Sequence, residues 1–296
     1  MVSGHLLGAA LGVTVSLCLT LQALAIRFGT RRGRANDALV TVFLFNVAAF
    51  AVVVALRHGA YEPRLSGIGA FAGAGLVGTL VGTGFYYAGI ERIGASRSDA
   101  IKASQPMTAA FFAILVLGEH VTVLNGFGIV LIVLGVAVLV SERSAASPAG
   151  GGLGAGVLYS IGASVAFGLE PIFAKYGFAL GTPVFVGLLV KTATAALGLL
   201  WFLRWREGLT LASVGVSLRS KWYVVAGAAN TLSLVAYYYA LTVAPVAVVI
   251  PLTQLSPLLV ILLSYRWLPA LEGITGRLVA GGVCIVIGGV AVVLFG

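Results

Sequence analysis

About ten uninterrupted apolar runs, each close to twenty residues, constrain this chain more than any other feature. Their limits are Gly4–Ile26, Ala38–Leu56, Gly67–Gly89, Gly94–Leu117, Thr122–Val140, Leu153–Ala174, Pro183–Leu203, Trp222–Leu241, Val246–Trp267 and Gly273–Phe295. A helix of about 20 apolar residues matches the hydrocarbon thickness of a bilayer. Barrel strands would be half that length and would alternate apolar with polar residues. In lipid, backbone amides must be satisfied within the segment, so runs this long are helices. Composition agrees: 60 % of the 296 residues are hydrophobic and 9 % are charged. A water-soluble domain carries about a quarter charged residues. A soluble enzyme, a disordered chain and a nucleic-acid-binding module are therefore excluded as readings. The fold class is an all-α polytopic membrane protein. The first run is full length and lacks a small-residue cleavage site, so it reads as a span and not as a removable signal.

The chain repeats itself. Glu119-His120-Val121-Thr122, followed by Gly128 and Gly135, matches Glu272-Gly273-Ile274-Thr275, followed by Gly281 and Gly288. Phe85-Tyr86-Tyr87-Ala88 matches Tyr237-Tyr238-Tyr239-Ala240, and the Gln105-Pro106 region matches Leu255-Ser256-Pro257. Gln22 through Arg27-Phe28-Gly29 matches Glu170 through Lys175-Tyr176-Gly177. Residues 1–143 form the first repeat, 144–152 a linker and 153–296 the second repeat. Five helices in each half reverse the second half in the membrane. Such inverted repeats suit alternating access, with a site at their interface near the midplane.

With two five-helix halves in view, the chain resembles the EamA domain of the drug/metabolite transporter superfamily. The resemblance rests on a fourth helix with Pro106, an apolar run ending in Leu117-Gly118-Glu119, and a glycine-rich fifth helix, Gly126–Val140. The second half departs from it: Tyr265-Arg266-Trp267-Leu268-Pro269 intrudes, and Glu272 follows Leu271 where the pattern has Gly. The resemblance implies a multi-pass carrier in the plasma membrane of a prokaryote. Such carriers often export amino acids or other small metabolites, by alternating access.

Ionisable residues inside spans are expensive, so each one is a functional candidate. Lys191 lies mid-span in the seventh run, too deep to snorkel to an interface; its rough first-half counterpart is Asn46. Glu170 stands near the end of the sixth run beside Pro171. It could bind a cationic group, carry a coupling proton, or pair with Lys191 or Lys175. The fourth run opens with Arg97, Asp99 and Lys102. Asp99 and Lys102 are three apart, share a helical face and can pair. Asp99 is a second candidate for proton coupling, and Lys102 and Gln105 are cavity candidates. In the second half Gln254, between Pro251 and Pro257, takes the place of Lys102. Tyr86 and Tyr238 lie well inside their runs, too deep for an interfacial belt, and are expected to wall a cavity. Asn230 and Gln22 complete the polar set.

This mixture of charges suits a zwitterion or small polar anion. The expected partners are a small-molecule substrate, membrane lipid and coupling protons, with no nucleic acid. The assembly is a monomer or homodimer. A lipid or lipid-linked-metabolite flippase on the same fold is the alternative function, and a membrane-embedded enzyme a more remote one. No ATP-binding loop, metal-ligand set or nucleophile motif is present in the sequence, so no cofactor or metal is expected. Cys18 and Cys284 sit in apolar runs as buried thiols.

The 18 Lys and Arg against 9 Asp and Glu concentrate in loops after odd-numbered runs. By the positive-inside rule those loops are cytoplasmic and both termini lie outside. The resemblance implies the reverse, with both termini inside.

Overall fold

The computed structural model describes residues 2–29, 35–57, 64–142, 153–206, 221–267 and 276–295, almost entirely as helices. In the first repeat, α1 spans Val2–Gly29 and α2 Ala35–Arg57. A continuous third rod comprises α3 (Leu65–Gly73), a π-helical segment (Ala74–Val81) and α4 (Gly82–Ile93). The fourth span is broken into α5 (Ala95–Lys102) and α6 (Gln105–Leu117), and α7 covers Val123–Glu142. The second repeat contains α8 (Leu153–Ala179), α9 (Val184–Arg206), α10 (Lys221–Val243), the broken pair α11 (Val246–Thr253) and α12 (Ser256–Trp267), and α13 (Gly276–Phe295). Among the described residues, seven helices are long and apolar enough to cross a membrane. Three shorter apolar helices accompany them: Val123–Leu139, Val246–Val260 and Val279–Phe295. Large apolar side chains such as Leu115, Val123 and Leu197 point outward, as a lipid-facing belt requires. The connector at 143–152, Glu272, Pro269 and the loop arginines Arg31, Arg32, Arg34, Arg143 and Arg219 lie outside the described residues.

Packing follows the repeat. α1 packs along α10, and its repeat mate α8 packs along the third rod, the mate of α10. α2 meets α9, and α7 meets α13. In the last pair, a Cβ on Gly128 would meet the Gly288 carbonyl, and one on Gly135 the Gly281 carbonyl. The reciprocal contacts hold as well: a Cβ on Gly288 or Gly281 would lie 2.6 or 2.9 Å from the carbonyl of Gly128 or Gly135. As residue numbers rise along one helix they fall along the other, so these equivalent helices run antiparallel. Glycine is required there because the backbones touch, which is how helices associate where lipid offers no hydrophobic drive.

Both fourth spans break just before a proline. Ala103–Ser104 separates α5 from α6 ahead of Pro106, and Gln254–Leu255 separates α11 from α12 ahead of Pro257. Proline lacks an N–H and crowds the preceding turn, so the ladder lapses there. Each break is held by a serine on the first helix of the other half. Ser16 of α1 donates to the Leu252 carbonyl at 2.6 Å, and the hydroxyls of Ser164 on α8 and Ser104 lie 2.9 Å apart. With the prolines aligned, Gln254 takes the register of Ala103 and Thr253 that of Lys102. That is one residue off the expected pairing of Gln254 with Lys102.

The Leu117-Gly118-Glu119 motif has a physical explanation. Gly118 closes α6 in the left-handed region, φ 65°, a conformation that strains any residue with a Cβ. Beyond it, Glu119 accepts hydrogen bonds from the N–H groups of Val246 (2.9 Å) and Ala247 (3.2 Å), capping α11. It also pairs with Lys175 at 2.9 Å. One carboxylate thus ties the ends of α6 and α8 to the start of α11.

Candidate functional site: a polar cavity between the repeats

Where the two halves meet, a cavity of about 420 Å³ opens inside the apolar bundle. Both broken spans reach it through Lys102 and Gln105 on one side and Thr253, Gln254 and Ser256 on the other. A helix break frees backbone groups and re-aims side chains, which is tolerated at depth only beside protein or a cavity. Gln254 Nε2 donates to Gln105 Oε1 at 3.5 Å, a long contact across the interface between halves.

Glu170 on α8 and Lys191 on α9 form a closed ion pair in the wall. The Lys191 residue is 5 % exposed, so its ammonium is tolerated because the carboxylate answers it. The Tyr238 hydroxyl adds a 3.5 Å contact to the same carboxylate oxygen, and the Lys191 ammonium lies 5.2 Å from the Tyr238 ring centre. The pair is seated by the π-helical segment. A Cβ on Gly75 would sit 2.4 Å from the Lys191 carbonyl oxygen, and one on Gly78 would sit 2.5 Å from Glu170 Cβ. Single π-helical turns recur at functional positions because they shift the register of the residues they carry.

The equivalent place in the first half holds neutral groups. Asn46 Nδ2 donates to Asn230 Oδ1 at 2.7 Å, and Asn230 Nδ2 donates to Gln22 Oε1 at 2.9 Å. Thr231 closes the chain by donating to Asn46 Oδ1 at 2.7 Å. Gln22 is the repeat mate of Glu170, and Asn46 the rough mate of Lys191. An amide network on one side of the interface therefore faces an ion pair on the other.

Of the residues singled out from sequence, Asn46, Lys102, Gln105, Glu170, Lys191 and Gln254 line the cavity, as does Asn230. Tyr86, Asp99, Tyr238 and Gln22 are not among the lining residues; Gln22 supports Asn230 from behind. Tyr86 is not in the wall; its hydroxyl donates to Asp99, so Asp99 is engaged by Tyr86 and not by Lys102. Tyr238 is fully buried behind Glu170, and its neighbour Tyr237 faces the cavity instead. Lys102 sits over two aromatic rings, 5.1 Å from the centre of Tyr86 and 5.7 Å from that of Phe167. Lys175 is spoken for by Glu119, not Glu170. The wall draws on eight of the spans. The second, third and eighth runs contribute Phe43, Thr79 and Ser233 beside the first, fourth, sixth, seventh and ninth. Thr192 and Ser233 carried no sequence signal, because a hydroxyl in a helix can satisfy itself on its own backbone. Thr192 does so at 2.7 Å on the Leu188 carbonyl. Among the described residues no cluster of His, Cys, Asp and Glu could hold a metal.

Comparison with known proteins bears on the fold and the family. A search of curated proteins gives no match. A protein known by its crystal structure shares the fold at TM-score 0.75 and 18 % sequence identity; the match covers 96 % of this chain and 95 % of that one. The model of the EamA-like transporter family matches twice, over residues 6–141 and 154–295. The two matches take in both halves of the bundle and nearly all of its length, so this polytopic membrane protein, with its paired repeats and the cavity between them, belongs to the EamA-like transporter family.

Proposed function

We propose that the protein is a secondary carrier that moves a small polar metabolite, an amino acid or similar compound, by alternating access. The observation that carries this reading is the cavity itself. It carries charged and polar side chains, lies between two repeats in an apolar protein, and is lined from both halves. Ten spans in two inverted halves fit the seven long and three shorter apolar helices and the antiparallel contact of α7 with α13. In this reading, residues 1–143 and 153–296 rock about the breaks in the fourth spans, exposing the cavity to one face and then the other. Export from a prokaryotic cell across its plasma membrane is the direction the family suggests.

The binding residues are Lys102, Gln105, Gln254, Asn46 and the Glu170–Lys191 pair, with Tyr238 holding Glu170 from behind. Tyr86 acts by positioning Asp99 and Lys102. Glu170 is the better coupling site than Asp99, because it lines the cavity and its charge is balanced by a partner on another helix. Protonating it would free Lys191 and change the charge the cargo meets. The test is flux in proteoliposomes, with a panel of radiolabelled amino acids, organic acids and amines. Protein-dependent flux that responds to an imposed pH gradient and vanishes in Lys191→Ala is expected. Normal flux in that variant removes the site assignment, and flux indifferent to the gradient removes proton coupling.

A further inference from the structure

Resting on the carrier reading, the charges around the cavity point to the chemical class of its cargo. Among the described residues, three charged side chains line it: Lys102, Glu170 and Lys191. Glu170 and Lys191 cancel one another as a closed pair. Lys102 has no carboxylate within ion-pair distance among the described residues. The carboxylate one turn away, Asp99, accepts from the Tyr86 hydroxyl instead. Lys102 is held by ring faces, at 5.1 Å from Tyr86 and 5.7 Å from Phe167. Aromatic faces steady an ammonium but bring no negative charge. Among the described residues the lining side chains therefore sum to one formal positive charge, in a membrane interior where an uncompensated charge is costly.

We propose that Lys102 is the anchor for the carboxylate of a monoanionic cargo. A single compact ammonium among neutral amides matches one negative charge. A phosphate dianion would leave a charge over, and an organic cation would add a second positive charge. A zwitterionic amino acid offers the carboxylate but leaves the cavity's net charge uncancelled, so it binds less tightly than the plain carboxylate of the same skeleton. Phe43, Phe167, Leu234 and Ile250 supply an apolar wall, which suits a carboxylate on a hydrocarbon body. Gln105 and Gln254, joined to each other by a long 3.5 Å contact, can exchange it for hydrogen bonds to a second polar group on the cargo.

The test compares ligands of one skeleton: 3-phenylpropionate, phenylalanine and 2-phenylethylamine, with 4-methylpentanoate, leucine and isoamylamine as an aliphatic set. Binding to the detergent-solubilised protein is read as concentration-dependent thermal stabilisation, since a ligand stabilises the state it binds. The carboxylates should bind tightest, the amino acids next and the amines least. Lys102→Gln should weaken carboxylate binding by about tenfold or more while leaving the ligand-free melting temperature near wild type. Lys102→Arg should keep most of the affinity. Amines binding as well as carboxylates, carboxylate binding unchanged in Lys102→Gln, or no binding by either set overturns the assignment. Its failure is separable from that of the carrier reading: protein-dependent flux of a cationic metabolite would leave a transporter without this specificity, whereas absence of flux for every charge class would remove both.

Discussion

Glu170 and Lys191 are each costly alone in an apolar interior and tolerable together. Removing one partner of a buried pair leaves the other charge unanswered, which costs about 3–5 kcal/mol, while replacing both is far milder. Lys191→Met is therefore expected to lower the melting temperature in detergent sharply, and Glu170→Gln with Lys191→Met to recover most of the loss. A double variant as unstable as the single one would contradict the pairing. The scarcity of charge made both residues legible in the sequence; the choice of partner was not. Lys175 is nearer along the chain, but five residues along a helix turn a side chain well away from Glu170's face. Lys175 reaches Glu119 instead, and Lys191 arrives from the neighbouring helix. The tyrosines misled in the same way. Their depth was readable, but which of Tyr237 and Tyr238 faces the cavity depends on helix rotation, which three consecutive tyrosines do not reveal.

At the scale of elements, the third rod carries the sharpest test of packing. Gly75→Ala places a methyl group 2.4 Å from a backbone oxygen of α9, and overpacking of this kind costs about 1–3 kcal/mol. Gly84→Ala, with nothing within 4 Å of its Cβ position, should be neutral or slightly stabilising, since alanine is the better helix former. Equal melting temperatures for the two variants would argue against the close seating of α9 on the π-helical segment. The cap on α11 is testable too. Glu119→Ala loses two charged caps and an ion pair, and should destabilise by about 1–3 kcal/mol. Glu119→Gln keeps an acceptor and should fall between. Reversal of that order would show that Glu119 does not cap α11. The breaks in the fourth spans were legible because Pro106 and Pro257 stand there in the sequence and proline interrupts the helical ladder. The π-helical segment was not. Gly73 through Gly82 reads like any apolar helix, and only the folded chain shows Gly75 and Gly78 seated against Lys191 and Glu170.

For the whole molecule, the repeat was readable because matched motifs recur at nearly one offset, and the antiparallel contact of α7 with α13 is the geometry an inverted repeat calls for. What the repeat could not show is how its two halves differ. Equivalent places hold Gln22 and Asn46 in one half and Glu170 and Lys191 in the other, so a symmetric frame encloses a cavity of asymmetric charge. The loop arginines predict that both termini lie outside the cytoplasm. A reporter fused to the C-terminus that is active only outside the cytoplasm should be active, and a fusion active only inside would reverse the assignment. The central claim, that one cavity opens in turn to each face, is tested most directly by thiol accessibility. In a Cys18→Ala, Cys284→Ala background, Ser233→Cys places a near-isosteric thiol in the cavity wall, at a position only 3 % exposed. A membrane-impermeant maleimide applied to sealed vesicles of each orientation should label it from both sides, whereas labelling from one face alone under every condition, or from neither, would contradict alternating access.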